Sequence, residues 1–133
     1  MRMSQRTRIL LIDDDNDFRE AIRTRLAVQG FEVTAVGSGQ EGLQAIAAQA
    51  FDLILLDMLM PGKGGIATYQ EIRLSPQGKE IPVILVTAIA NQEHWEPMPN
   101  ATDGRTFIMG KPYEYQILLT RIRQMLGGPL ETG

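Results

Sequence analysis

The sequence predicts a single α/β domain built on a parallel sheet covered by helices on both faces. Five short apolar runs alternate with stretches whose apolar residues recur at helical spacing, the pattern of a βαβ chain. The runs at 9–12 and 53–56 are continuously apolar, as strands buried on both faces are. At 133 residues and 44% hydrophobic, the chain has material for one core and too little length for two ordinary domains. The expected limits are a tail at 1–7, the domain at 8–126, and a tail or the start of a linker at 127–133, where Gly127, Gly128 and Pro129 stand.

Ile9, Leu10, Leu11 and Ile12 form the first strand. Asp15 or Asn16 caps the helix that follows, which carries Phe18, Ala21, Ile22 and Leu26 on its apolar stripe and stops at Gly30. Residues 32–36 alternate as a second strand. Ser38 and Glu41 have capping-box spacing before a helix with Leu43, Ile46 and Ala47 inward. The third strand, 53–57, is the most apolar and ends on Asp57. A third helix spans about 66–74, closed by Pro76 and Gly78, and the glycines at 62, 64 and 65 form a turn ahead of it. Residues 82–87 are a fourth strand with its proline at the tolerated first position. A short fifth strand at 106–109 and a helix at 113–126, with Leu118, Ile122 and Met125 on one side, complete the chain.

In an open parallel sheet, ligands bind beyond the carboxyl ends of the strands, where strand order reverses. That edge collects Asp13 and Asp14, Asp57, Thr87, and Lys111 just after the fifth strand. Converging carboxylates repel one another unless a cation or protons compensate them. With no cysteine, the cation must sit on hard ligands, which points to Mg²⁺, with Mn²⁺ as a substitute. Lys111 can pair with Asp57 at rest and with a transferred phosphoryl group later, and Thr87 can hydrogen-bond the same oxygens. These are parts for phosphoryl transfer, with Asp57 as a carboxylate nucleophile.

Taken together, Ile12-Asp13-Asp14, the run from Leu55 through Asp57 and Leu59 to Pro61 with Gly65 beyond, Val86-Thr87-Ala88, and Lys111-Pro112-Tyr113 resemble the response-regulator receiver domains of two-component signalling. The resemblance extends from Arg8 to about Leu126. It implies a flavodoxin-like doubly wound five-stranded sheet of order 2-1-3-4-5. It also implies an Mg²⁺-dependent phosphoryl transfer from a phosphohistidine on a sensor histidine kinase or phosphotransfer protein. By position, Asp14 is the direct metal ligand, Asp13 the water-mediated one, Asp57 both ligand and phosphoacceptor, and the Leu59 carbonyl the last protein ligand. Thr87 and Lys111 would sense the phosphoryl oxygens. The state would pass to an output domain, a separate protein or a second copy forming a homodimer, and the chain would catalyse only its own phosphorylation and dephosphorylation.

The sequence departs from the family between Thr87 and Lys111. Pro97 and Pro99 are incompatible with a continuing helix, so the family's helix between strands four and five is expected to be short, displaced or replaced by a loop. Ile108 stands where the family has an aromatic residue, with Phe107 before it. Leu59 and Ile89, at positions that influence water access in the family, cannot orient a water molecule, which predicts slow self-dephosphorylation.

The charge of −3 gives no general attraction for nucleic acid or anionic membranes, so direct nucleic-acid binding is not expected. The basic start is followed by an apolar run far too short for a signal peptide or membrane span, which predicts a cytoplasmic protein. Two rival functions are a phosphorylation-independent receiver-like binding module and a haloacid-dehalogenase-type phosphatase. The latter is suggested by Asp13-x-Asp15 but lacks the residues that usually follow. The run Gly62-Lys63-Gly64-Gly65 lacks the spacing of a nucleotide-binding loop.

Overall fold

A computed structural model describes residues 6–57, 64–87, 105–110 and 114–126. Its elements are β1 (Arg8–Ile12), α1 (Asn16–Val28), β2 (Glu32–Val36), α2 (Gly39–Ala48), β3 (Leu53–Asp57), α3 (Gly64–Leu74), β4 (Val83–Thr87), β5 (Thr106–Gly110) and α4 (Tyr115–Met125). The five strands form one sheet in the order β2-β1-β3-β4-β5, and every pairing is parallel. This is the expected doubly wound order. The region between Thr87 and Arg105, where a short or irregular helix was expected, lies outside the described residues.

Alternation along the strands divides the core in two. Leu11, Leu55, Ile84 and Met109 pack with Ile22 and Leu26 of α1 and Leu118 and Ile122 of α4. Leu10, Ile12, Ile54, Leu56 and Leu85 point the other way, against Ile46 of α2 and Tyr69 and Ile72 of α3. The central strand β3 is buried along its whole length. That is the condition under which a continuous apolar run is stable as a strand.

The helix ends follow the local sequence. Asp15, not Asn16, caps α1, its Oδ1 accepting from the Phe18 N–H at 3.1 Å. Ser38 caps α2 by accepting from the Glu41 N–H at 3.1 Å, and Glu41 Oε1 reaches back to the Gly37 N–H at 2.9 Å. Helix α1 ends with Gly30 at φ +100°; the Gly30 N–H donates to the Ala27 carbonyl and the Phe31 N–H to the Leu26 carbonyl, so the last turn is closed.

Three details differ from the sequence-based expectation. Gly64 and Gly65 belong to α3 and not to the turn before it, as the first turn of a helix tolerates glycine. Ala21 and Ala47 are exposed, because a methyl group is small enough for either helix face. Helix α4 begins at Tyr115, with Glu114 as its cap position and Tyr113 outside the described residues.

The amino edge of the sheet holds a charge inside the fold. Arg73, near the end of α3, is 7% exposed. Its Nη1 donates to the carbonyls of Ile81 at 2.6 Å, Gly78 at 3.0 Å and Lys79 at 3.5 Å. Its Nη2 donates to the Arg105 carbonyl at 3.2 Å and to Thr106 Oγ1 at 3.0 Å. The Tyr69 hydroxyl lies 2.8 Å from the same Thr106 hydroxyl. One side chain of α3 thus pins the approach to β4 and the start of β5.

Candidate functional site

Asp13, Asp14 and Asp57 meet at the carboxyl edge of the sheet, and register explains why. Ile12 pairs with Leu56, so Asp13 leaves β1 level with Asp57 at the end of β3. Asp57 pairs in turn with Val86, one residue before Thr87, and Thr87 is level with Gly110. Asp57, Thr87 and Gly110 therefore end three adjacent strands within one residue of the same level. The side chain of Thr87 is not described. Leu59 and Lys111 lie outside the described residues, as does Ile89.

Asp13, Asp14 and Asp57 each bring a carboxylate oxygen to within 4.8 Å of the other two. Asp13 is 2% exposed and Asp57 5%, whereas Asp14 is open to solvent. Two of the three carboxylates are thus held largely out of water, where like charges repel one another unless positive charge compensates them. The donor set is all oxygen, anionic and clustered on the scale of one coordination sphere, which fits a hard divalent cation held directly or through a water. A softer metal would find no thiolate in this chain.

The loop carrying Asp13 and Asp14 is tied at each step. The Asp13 N–H donates to the Val36 carbonyl at 3.1 Å, continuing the β1–β2 ladder one residue further. Asp13 Oδ1 accepts from the Asp15 N–H at 2.9 Å. The Asp15 carboxylate is engaged as the cap of α1. An Asp-x-Asp pair acting jointly on one substrate is therefore not what this loop presents.

Arg19 was not singled out from the sequence, yet it is attached to this loop. Its Nη1 donates to the Asp13 carbonyl at 2.7 Å, and its Nη2 donates to Asn16 Oδ1. An arginine one turn into an amphipathic helix reads as solvated surface, and its main acceptor here is a carbonyl that every residue possesses.

Phe107 cannot stand in for the aromatic residue absent at 108. It packs into the α1/α4 half of the core with the Arg121 guanidinium 3.9 Å above its ring, while Ile108 packs against the α2/α3 half. Neighbouring residues of a strand face opposite sides, so an aromatic shifted by one position serves the other face.

The family profile of the response regulator receiver domain matches residues 9–123. The chain is 33% identical over 124 residues to the transcriptional regulatory protein CseB of Streptomyces avermitilis, covering 93% of this chain and 51% of that protein. It is 33% identical over 119 residues to the transcriptional activator protein PfeR of Pseudomonas aeruginosa, covering 90% and 37%. The chain thus spans about half, or less, of these relatives. Among solved structures, the receiver domain of sensor histidine kinase PA1611 from Pseudomonas aeruginosa, with a magnesium ion in its active-site cleft, superposes with a TM-score of 0.82 at 28% identity. That match covers 93% of this chain and all of the other. The response regulator TrrA of Thermotoga maritima, solved with Mg²⁺ and BeF, gives 0.74 at 27% identity over 90% of this chain and 98% of that one.

Proposed function

Since the chain belongs to the response-regulator receiver family, we propose that it is a phosphorylation-activated switch in which Asp57 accepts a phosphoryl group beside a bound Mg²⁺. The observation that carries this reading is the gathering of Asp13, Asp14 and Asp57 within 4.8 Å at the ends of buried strands. Clustered carboxylates, two of them buried, create a field that a bound divalent cation would neutralise, and such clusters in a family with this edge chemistry support a functional reading.

In the proposed reaction an Asp57 carboxylate oxygen attacks the phosphorus of a phosphohistidine on a sensor kinase or phosphotransfer protein. A P–O bond forms as the donor's P–N bond breaks, leaving an acyl phosphate on Asp57 and a neutral imidazole after protonation. Burial of β3 holds Asp57 in place, and Asp13 and Asp14 stand beside it as candidate ligands; the Leu59 carbonyl is proposed as the last protein ligand. The cation, when bound, would neutralise charge on the transferring oxygens. Thr87 and Lys111 are proposed to take hold of those oxygens afterwards and draw the loops after β4 and β5 inward. The added charge of roughly −1.5 to −2 would then bias a two-state equilibrium that a partner reads.

Several of the relatives are transcriptional regulators longer than this chain, and we propose that the signal passes to an output domain or a separate effector. No enzyme family is indicated for the chain, and among the described residues no helix is long and apolar enough to cross a membrane.

The test is treatment with acetyl phosphate and Mg²⁺ followed by intact mass measurement. The wild type is expected to gain one phosphoryl group and Asp57→Asn none. An adduct that persists in Asp57→Asn would place the acceptor elsewhere.

A further inference from the structure

A carboxylate on a loop binds a cation only as well as the loop is held. Three of the ties on the loop between β1 and α1 are made by the loop's own groups: the Asp13 N–H to the Val36 carbonyl of β2, the Asp15 N–H to Asp13 Oδ1, and the Asp15 cap on the Phe18 N–H. The fourth comes from Arg19, whose guanidinium binds the Asp13 carbonyl at one end of the loop and the Asn16 side chain at the other. That guanidinium also lies against the connection from β2 to α2. A Cβ on Gly37 would meet its Nη1 at 3.1 Å, and the Gly37 N–H is itself held by Glu41. One planar cation thus spans the loop bearing Asp13 and Asp14 and braces it on its neighbour.

We propose that Arg19 is a positioning residue for the cation site, its two-nitrogen fork holding the Asp13–Asn16 loop so that Asp13 and Asp14 face Asp57. The inference rests on the reading of those three carboxylates as the cation site. Arginine suits the task because its rigid fork can bind two acceptors at once, whereas lysine supplies the charge from a single nitrogen.

Charge and geometry make opposite predictions here. As a charge alone, Arg19 competes with a divalent cation for the same carboxylates, so its removal would tighten Mg²⁺ binding. As the brace of the loop, its removal loosens the ligands and weakens binding, on the order of 10-fold or more for a residue that orients metal ligands. The sign of the change decides between the two.

The experiment titrates Mg²⁺ into the full chain as wild type, Arg19→Gln and Arg19→Lys by calorimetry, with urea unfolding and amide exchange measured in parallel. Expected is a roughly 10-fold or larger weakening in Arg19→Gln, a smaller one in Arg19→Lys, and faster exchange of the Asp15 amide at unchanged global stability. Unchanged or tighter Mg²⁺ binding in Arg19→Gln overturns the proposal. Should Arg19→Gln fail to fold, Asn16→Ala removes one prong and keeps the charge; it is expected to weaken binding modestly, and an unchanged affinity overturns the fork. A wild type that takes up no Mg²⁺ overturns the reading of the cation site itself. A wild type that binds while Asp15 exchange stays unchanged in Arg19→Gln overturns the role of Arg19 alone.

Discussion

The two edges of the sheet both bury charge, and they do so in opposite ways. At the amino edge one guanidinium, Arg73, is surrounded by four carbonyls and a hydroxyl drawn from the approach to β4 and the start of β5. At the carboxyl edge three carboxylates of like sign are brought within 4.8 Å of one another. The first arrangement spreads a charge over neutral dipoles of the chain itself. The second concentrates charge in a way that a divalent cation would relieve. Buried charge at the amino edge therefore serves the fold, and at the carboxyl edge it is proposed to serve a ligand.

Removing Arg73 should show the first half of this contrast most strongly. Arg73→Met leaves several buried acceptors without a donor, each costing about 1–3 kcal/mol. A total loss of about 3 kcal/mol or more is expected in urea unfolding, with Mg²⁺ affinity unchanged in the folded protein. A large loss of Mg²⁺ affinity would mean that the two edges are not separable.

Removing a charge at the other edge should have the opposite sign. In the absence of Mg²⁺, Asp57→Asn relieves like-charge repulsion and is expected to raise stability by about 1 kcal/mol. The wild type should gain stability as Mg²⁺ is added, as any ligand of the native state stabilises it, and Asp57→Asn should gain much less. Parallel urea curves with and without Mg²⁺ test both statements. A destabilised Asp57→Asn would show that the acidic cluster is structural after all.

The smallest effect belongs to a third site that resembles neither edge. The Tyr115 hydroxyl is buried without a hydrogen-bond partner among the described residues, and the Arg25 guanidinium lies 3.9 Å from its ring centroid. Burial pushes the phenol above its ordinary pKa near 10, while Arg25 and Arg123 pull it partly back. A raised folded value means that the stabilising contribution is intact below the unfolded pKa and is lost as pH rises through the folded one. Tyr115→Phe should therefore be neutral or slightly stabilising at pH 7 and should flatten the fall in stability above about pH 10. An equal alkaline fall in both proteins would assign it to other groups.

What the sequence disclosed, and what it hid, follows the same division. The strands were legible because continuous apolar runs have few other uses, and the two caps because Asp15 and Ser38 act on N–H groups three residues away. The meeting of Asp13, Asp14 and Asp57 was legible because parallel strands end on one edge. Arg73 and Arg19 were not. Each binds carbonyl oxygens, which no residue type advertises, and each lies in a helix where an arginine ordinarily faces water. Tyr69, wholly buried in α3 and joined to Thr106, was hidden likewise, since its partner is 37 residues away.

The way Arg73 holds the approach to β4 leaves a practical opening. Its hydrogen bonds to that segment at Gly78, Lys79 and Ile81 go to main-chain oxygens, and the Lys79 and Glu80 side chains are exposed. Their identity can change while the grip stays. In a chain with no cysteine of its own, a single thiol introduced at 79 or 80 would be a unique attachment point for a fluorophore. It would sit at the far edge of the sheet from Asp57, where it would follow unfolding of the amino edge without obstructing the acidic cluster.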